Sequence, residues 1–205
     1  MFPLVVDLTG RRVVVIGAGN VGVHKAAQLL ECGARVTMIS EHLFAPVPDG
    51  LEELLVRSYR HGDLSGAFLV VAATANGEVS DEIVRETTER NLLLNVVDDL
   101  ARSNFFFTAV HRDGDVVVSV STGGASPALA QWVRATAARA LPTNLARVAR
   151  QLRDERRALH DRGESTEGRP WMDRVHELVG ESAHVDDDAS VFTRADLTAE
   201  IQHQG

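Results

Sequence analysis

The chain has 205 residues, of which 44% are hydrophobic and 24% charged, and its formal net charge at pH 7 is −8. This is the composition of a globular protein large enough for one ordinary domain and a small appendage. The acidic charge excludes a general nucleic-acid-binding protein, which needs a broad basic face. No apolar run approaches the roughly 20 residues that span a bilayer.

The N-terminus and the cysteine content indicate the compartment. No basic residues precede the N-terminal apolar stretch, so we do not expect a signal peptide. Cys32 is the only cysteine and lies in an amphipathic helical pattern, which is typical of a small core thiol in a reducing compartment. We therefore expect a cytoplasmic protein.

The first half of the chain alternates short apolar runs with helical patterns. Nearly continuous runs of Val, Leu and Ile between helices are typical of a parallel sheet that is covered on both faces. The predicted elements are a strand over 13–16, a helix over 21–32, strands over 35–39, 54–59 and 67–72, a helix over 79–90 and a strand over 92–97.

The glycine cluster GAGNVG, residues 17–22, is a complete G-x-G-x-x-G between the first predicted strand and the first predicted helix. In that context the motif marks a dinucleotide site. Gly17 would allow the tight turn, Gly19 would let the backbone approach a pyrophosphate, and Gly22 would let helix and strand pack closely. The start of the helix would offer unpaired N–H groups to the phosphates.

Glu41 lies about 20 residues beyond this motif, where the second predicted strand ends at Ser40–Glu41. An acidic residue at this point usually accepts a hydrogen bond from the ribose 2′-OH, and it would repel a 2′-phosphate. The sequence therefore favours NAD over NADP. The alternative is a plain strand–turn–helix, with Glu41 as a solvated loop charge.

The pattern changes after Asp99. Two strand-like runs surround Asp113–Gly114, which predicts an antiparallel hairpin that extends or flanks the sheet. Ser126 followed by Pro127 predicts a capped helix start. Further helical patterns cover 141–161 and 171–179, with a polar linker between them, and a last short helix could cover 192–201.

Two segments carry polar groups that a plain sheet does not need. Asp98 and Asp99 follow the strand over 92–97, at the carboxyl edge where doubly wound sheets bind ligands. By position alone, a capping or loop pair is an equally good interpretation. The segment STGGASP, residues 121–127, passes from a glycine turn into a helix start, which is a ready anion site.

Several segments, in this order and spacing, resemble the precorrin-2 dehydrogenase / sirohydrochlorin ferrochelatase family of siroheme synthesis. The resemblance covers residues 1 to about 180, and its most specific parts are NVVDD and STGGASP. The segments are DLTGRRVVVIGAGNVGVHKAAQLLECGARVTMIS, VVAATAN, NVVDD, VSVSTGGASPALA and LPTNLARVARQLRDERRAL.

This resemblance implies an enzyme that oxidises precorrin-2 to sirohydrochlorin with NAD, and in some members also inserts ferrous iron to give siroheme. It implies a homodimer in which the C-terminal helices interlock. The essential aspartate of the family's N-V-V-D motif is Asp98 here, which leaves Asp99 as a cap. The implied cofactor contacts are Gly17, Gly19, Asn20, Val21 and Gly22, with Glu41 and His42 at the adenosine side.

Precorrin-2 is a polycarboxylate, so its site needs fixed hydrogen-bond donors. We expect them in the glycine turn and the helix start that follows it, at Thr122, Gly123, Gly124 and Ser126. Possible side-chain partners, each of which fits a surface or dimer role better, are Arg102, His111, Arg112 and Arg134. The scattered histidines and the single cysteine predict no protein metal site.

The predicted fold is α/β, with a Rossmann-type doubly wound parallel sheet, an antiparallel hairpin extension and a helical C-terminal dimerisation region. We divide it into an NAD-binding domain over 1–104, a hairpin and helix over 105–140 and a helical region over 141–205. Two alternative functions stay open. One is a dehydrogenase without chelatase activity, and the other is an NAD-sensing regulatory module with a helical dimerisation tail.

Overall fold

A computed structural model describes residues 1–180 of the chain. The chain divides into two units, Met1–Phe107 and Thr108–Gly205. This two-unit division does not test the three predicted domains, 1–104, 105–140 and 141–205, which stay a prediction. The possible helix over 192–201 lies outside the described residues.

The first unit is a five-stranded parallel sheet with the strand order β3-β2-β1-β4-β5. Helix α1 connects β1 to β2, and helix α2 connects β4 to β5. The strand order reverses between β1 and β4, which makes their carboxyl ends the switch point of a doubly wound sheet. The bounds are β1 Arg12–Ala18, α1 Asn20–Glu31, β2 Arg35–Leu43, β3 Glu53–Leu55, β4 Leu69–Ala72, α2 Gly77–Glu89 and β5 Leu93–Val96.

The strands read as continuous apolar runs because the sheet is buried on both faces. Val13 and Val15 pack with Ala26 of α1 on one face. Val14 packs with Ile83 of α2 on the other face. All of these side chains are 0% exposed. Successive residues of β1 therefore pack into the core on alternate faces of the sheet, and the strand shows no alternation with polar residues. The predicted doubly wound α/β sheet is confirmed.

The second unit begins with a hairpin of β6 Ala109–Asp113 and β7 Val116–Val120. The hairpin forms a two-stranded sheet of its own, separate from the parallel sheet. Asp113 pairs with Val116, so the two turn residues are Gly114 and Asp115. Only the first of them has a positive φ, +58°, which is the pattern of a type II′ turn.

Three helices complete the described part of the second unit. Pro127 begins the first, and the Ser126 hydroxyl accepts from the Leu129 N–H at 3.2 Å, so the predicted capped start is confirmed. The second and third helices form an antiparallel pair in which the Asn144 side-chain amide donates to two carbonyls at the end of the third. The helices are α3 Pro127–Ala140, α4 Leu145–Asp161 and α5 Trp171–Val179.

Three predicted boundaries are wrong. The strand over 54–59 is only β3 Glu53–Leu55, because the chain beyond it is held in a loop by side-chain contacts described below. The second strand does not end at Ser40–Glu41 but continues to Leu43, which pairs with Ala18. The helix over 141–161 begins at Leu145, and Leu141 is extended, with φ −81° and ψ 143°, because the residue before a proline, here Pro142, disfavours the helical conformation.

No helix within residues 1–180 is long and apolar enough to cross a membrane.

A buried carboxylate fixes the loop that follows β3. Glu86 of α2 is 0% exposed. It accepts from the Tyr59 hydroxyl, from the Gly62 N–H at 2.8 Å and from Arg90 Nε at 2.8 Å. Burial acts to raise the pKa of Glu86, but these donors outweigh it and hold the pKa below its ordinary value. The loop is therefore tied to α2 through an ionised carboxylate.

This contact predicts an acid-sensitive contribution to stability. Because the pKa of Glu86 is lower in the folded chain, its contribution is present above the ordinary value of 4.5 and is lost as the pH falls through the folded pKa. Glu86→Gln should lower the free energy of unfolding by about 1–3 kcal/mol at pH 7, because the charged acceptor is gone. Urea denaturation at pH 7 and below pH 4.5 measures the effect.

The difference between wild type and Glu86→Gln should shrink at the lower pH. Glu89→Gln is the matched control, since Glu89 is exposed on the same helix and should leave stability unchanged. An equal loss in both variants, or a difference that does not depend on pH, would contradict the role given to Glu86.

Candidate functional site

A cavity of about 330 Å³ opens at the carboxyl ends of the strands in the first unit. Its walls are the glycine loop after β1, the end of β2, the loop after β3 and the segment between β4 and α2. This is the switch point of the sheet, where doubly wound folds bind their ligands. We call this cavity the cleft.

Two glycines of the motif are required by the packing of the backbone, whether or not a ligand is bound. Gly17 has φ +102°, and a Cβ there would lie 2.3 Å from the carbonyl oxygen of Ala73. A Cβ on Gly22 would lie 2.1 Å from the carbonyl oxygen of Gly17. Both positions therefore exclude any side chain, because β1, the start of α1 and the segment after β4 approach each other closely.

Gly19 is different, because the protein leaves space around it. Among residues 1–180, no protein atom would lie within 4 Å of a Cβ at this position. Gly19 is the N-cap of α1, no side chain of the described residues caps the helix, and its first turn holds no acidic residue. Uncapped N–H groups at the positive end of a helix attract an anion. The residues present therefore fit the pyrophosphate of a dinucleotide, and Asn20 and Val21 are the first residues of the helix that would meet it.

Ser40 fixes the glycine loop against the end of β2. Its hydroxyl accepts from the Ala18 N–H at 3.1 Å and donates to the His42 carbonyl at 2.7 Å. The Phe44 N–H donates to the Ala18 carbonyl at 3.1 Å. The strand pairing shifts register between these contacts, so the intervening residues bulge, and Glu41 and His42 line the cleft.

The wall after β3 carries polar contacts that the sequence reasoning missed. The Ser58 hydroxyl donates to Glu41. Arg57, which also lines the cleft, donates to both carboxylate oxygens of Asp63 at 2.7 and 2.8 Å. The Arg57 guanidinium holds the pKa of Asp63 below its usual value. The separation of six residues between Arg57 and Asp63 gave no signal, because the segment was predicted as a strand.

The segment between β4 and α2 closes the cleft on its fourth side. The Asn76 side chain accepts from the N–H groups of Glu78 and Val79, at 3.0 and 3.2 Å, and so caps α2. Thr74 accepts from the Asn76 N–H at 3.1 Å. Both Thr74 and Asn76 line the cleft, and neither was singled out from the sequence.

Asp98 lies in the turn after β5, at the predicted edge of the sheet. The N–H of the preceding residue, Val97, donates to the Ala72 carbonyl at 2.9 Å, so this turn lies beside the carboxyl end of β4. Asp98 is exposed and has the left-handed φ of +60°, which Asp and Asn adopt more readily than most residues. It does not line the cleft itself.

Asp99 caps the turn that follows β5, which agrees with the capping role expected from the sequence. Its carboxylate accepts from the Arg102 N–H at 3.1 Å and from Arg102 Nε at 2.6 Å. The Arg102 guanidinium holds the pKa of Asp99 below its usual value. Because Arg102 also pairs with Asp81 at 2.7 Å, two carboxylates already engage this candidate substrate partner.

In the second unit, Thr122, Gly123, Gly124 and Ser126 build one tight turn. The Ala125 N–H donates to the Thr122 carbonyl at 3.0 Å, across two glycines with φ of +63° and +85°. The Thr122 hydroxyl accepts from the Ser126 N–H at 3.2 Å, and the Ser126 hydroxyl caps α3. Both hydroxyl groups therefore hold the turn and the helix start together.

The other candidate partners are spread over the second unit. His111 and Arg112 are on β6, and Arg134 of α3 donates to Gln131 at 3.1 Å. Among residues 1–180, no group of three or more His, Cys, Asp or Glu side chains is placed to hold a metal ion.

Known proteins match this chain in sequence. A family model described as "Putative NAD(P)-binding" matches residues 4–109. Siroheme synthase 1 of Pectobacterium atrosepticum is 36% identical over 151 residues, which are 72% of this chain and 32% of that protein. The siroheme synthase of Pseudomonas paraeruginosa is 34% identical over 151 residues, with the same coverage. The chain thus spans about a third of the length of the curated relatives it matches.

A solved structure described as "SirC, precorrin-2 dehydrogenase" matches the fold. The TM-score is 0.65 at 21% identity, and the match covers 99% of this chain and 98% of that chain. Since the family model covers more than half of the chain, the chain belongs to this NAD(P)-binding family.

Proposed function

We propose that the chain is an NAD-dependent precorrin-2 dehydrogenase, which oxidises precorrin-2 to sirohydrochlorin in siroheme biosynthesis. One observation carries the proposal: an uncapped helix start at an open Gly19 and an exposed carboxylate, Asp98, lie on the same edge of one parallel sheet. The names of the siroheme synthases and of the matching solved structure supply the substrate.

The glycine loop would hold the pyrophosphate through the N–H groups of Asn20, Val21 and Gly22 at the start of α1. Glu41 and His42 would contact the adenosine. The wall offers the Glu41 carboxylate for a ribose hydroxyl, and the charge of its arginine, Arg57, is already balanced by Asp63, so this wall favours a ribose hydroxyl over a 2′-phosphate. When bound, the nicotinamide supplies the acceptor for the hydride that leaves the substrate.

Asp98 is the proposed base. Oxidation of precorrin-2 removes a hydride, with both electrons of the bond, and a proton from the macrocycle. The proton needs an acceptor within hydrogen-bond reach. Within residues 1–180, no hydrogen bond or ion pair engages the Asp98 carboxylate, whereas its neighbour Asp99 is bound to Arg102. Asp98 is therefore available for that proton.

The turn over Thr122–Ser126 is the proposed donor for substrate carboxylates. The N–H groups of Gly123, Ala125 and Ser126 are already bonded within the segment. Within the described part of the chain, this leaves the N–H groups of Thr122 and Gly124 as the backbone donors of the turn that can meet a carboxylate.

We also propose a homodimer built on the C-terminal helices. Leu129 and Trp132 of α3 are 50% and 64% exposed, and apolar side chains of this size on one helix face favour a partner surface. Light scattering at micromolar concentration would test the assembly.

Ferrous iron enters the proposal only as a second substrate, whose insertion into sirohydrochlorin would use the same Asp98.

The contrast between two glycines gives a test of the cofactor site. Gly19→Ala should keep the fold, with a loss of about 0.5 kcal/mol at the helix cap, because no atom of residues 1–180 lies within 4 Å of the new methyl group. It should weaken NAD binding by at least about tenfold. Gly22→Ala should instead lower the free energy of unfolding by about 1–3 kcal/mol, through overpacking.

Thermal unfolding and calorimetric titration with NAD measure the two effects. A Gly19→Ala variant that binds NAD as tightly as wild type would show that the dinucleotide does not approach this helix start.

Cofactor choice depends on Glu41. Wild type should bind NAD more tightly than NADP. Glu41→Ala should reduce the ratio of the NADP and NAD dissociation constants by about tenfold, because a carboxylate that would repel the 2′-phosphate is removed. Ser58→Ala is the matched control, since it removes the hydroxyl that bonds to Glu41 and keeps the charge. Equal affinities of wild type for NAD and NADP would refute the role of Glu41.

The pair Asp98 and Asp99 tests the proposed reaction. Asp98→Asn keeps a residue that tolerates the left-handed turn, so fold and NAD binding should persist while precorrin-2 oxidation falls by about 10²–10⁴-fold. Asp99→Asn should unfold at a lower urea concentration, because the bonds to Arg102 weaken, and should keep most of its turnover.

Both variants are assayed at matched folded fraction by the appearance of the sirohydrochlorin spectrum, and iron insertion is followed in parallel. Full activity of Asp98→Asn would remove the assignment of the base. A folded but inactive Asp99→Asn would show that the other carboxylate of the pair is the base.

A further inference from the structure

The second unit has a cavity that the proposed reaction does not use. It measures about 380 Å³ and lies between the end of α4, the loop over residues 162–170 and the start of α5. The sequence predicted this loop only as a polar linker. We call this cavity the helical cavity.

The helical cavity has an apolar floor with a fixed aromatic ring. Leu159, which is buried, lies beside Pro170 and Trp171 in its lining. The Trp171 indole Nε1 donates to the Thr166 carbonyl at 2.8 Å, so the loop holds the ring in one orientation. A conjugated ligand can stack on such a ring without ordering it first.

The rim of the cavity carries three guanidinium groups and one carboxylate. Arg162 and Arg169 share a single partner, Glu164, at 2.6 Å each. Arg174 contacts Glu155 at 2.5 Å through a fork of two nitrogens. Arg174 thus neutralises Glu155, the one carboxylate of the lining. The other two guanidinium groups have a single carboxylate, Glu164, between them.

Donors therefore remain for a further anion. A guanidinium has five N–H groups, and within residues 1–180 Arg162 donates only through its Nε, to Glu164. Arg169 gives its Nε to the Ser165 carbonyl and one terminal nitrogen to Glu164. Since Arg162 and Arg169 are 56% and 41% exposed, their surface ion pairs are weak and can be shared with an incoming carboxylate.

We propose that the helical cavity is a second ligand site, which binds a planar conjugated polycarboxylate. The ring stacks on Trp171, and carboxylates pair with Arg162 and Arg169. An inorganic anion would use the arginines and leave the indole uncovered, and an apolar ligand would leave the arginines unused. The choice of a tetrapyrrole as this ligand rests on the proposed function, whose substrate and product are both of that chemical class.

The probe is uroporphyrin, a tetrapyrrole polycarboxylate that the proposed reaction does not consume. Calorimetric titration measures how many uroporphyrins the full chain binds and how tightly. Wild type should bind one more per chain than Arg162→Gln/Arg169→Gln, or should bind at least about tenfold more tightly. Trp171→Leu is an independent second variant that should show the same loss, so the test survives if one of the two does not fold.

Arg156→Gln/Arg157→Gln is the matched control. It removes the same charge from exposed positions of α4 outside the cavity and should bind like wild type. Trp132 and Trp171 are the only tryptophans, so Trp132→Phe isolates the emission of Trp171. Uroporphyrin should quench this emission, and adding the two cavity arginine substitutions should reduce the quenching.

Equal binding by wild type and both cavity variants would overturn the helical cavity as a site. An equal loss in the control would also overturn it, since it would show attraction to any positive charge. Failure of the proposed function is separate. If NAD does not bind at the cleft, or precorrin-2 is not oxidised, while the cavity variants alone lose uroporphyrin, the second site stands without the dehydrogenase.

Discussion

The candidate site depends on one close approach of backbones. β1 turns into α1 directly across the end of β4, and the contact leaves no space for a Cβ at Gly17 or Gly22. This closeness brings the start of α1 to the carboxyl edge of the sheet, and no side chain of residues 1–180 caps its N–H groups. A side chain at either glycine would push the helix away from the strand, and the positive end of α1 would move with it. The open space at Gly19 lies at the start of α1 only because Gly17 and Gly22, which have no space for a side chain, let the helix approach the strand so closely.

The remaining walls of the cleft are placed by polar contacts that come from outside the glycine motif. Ser40 joins the end of β2 to the glycine loop, and the bulge beside it turns Glu41 into the cleft. The loop after β3 has no sheet partner, and Glu86 holds it in place from α2. An ionised carboxylate with three donors is stable in a buried position only while each donor stays paired. The geometry of the cleft wall that Arg57, Ser58 and Tyr59 form therefore depends on a carboxylate of α2.

The sequence was informative where structure follows from local chemistry. Apolar runs predicted the strands, Ser126 and Pro127 predicted a helix start, and the glycine spacing predicted the turn before α1. It was not informative where contacts depend on register or on distant residues. Neither the two-residue shift that lets Leu43 pair with Ala18 nor the bond between Arg57 and Asp63 leaves a periodic signal. Pro142 did carry a local signal, and the predicted helix over 141–161 overlooked it.

Adjacent carboxylates can acquire different roles from the backbone alone. Asp98 and Asp99 have the same side chain and follow the same strand, yet the left-handed turn at Asp98 directs the two residues differently. Asp99 meets the N–H and the guanidinium of Arg102 and becomes part of the turn. Asp98, one residue earlier, has no such donor within the described chain and stays exposed. Arg102 already engages two carboxylates, those of Asp99 and Asp81, and neither bond involves Asp98. The same arginine that stabilises the turn thus leaves Asp98 unengaged, which is the difference between the two carboxylates on which the proposed role of Asp98 depends.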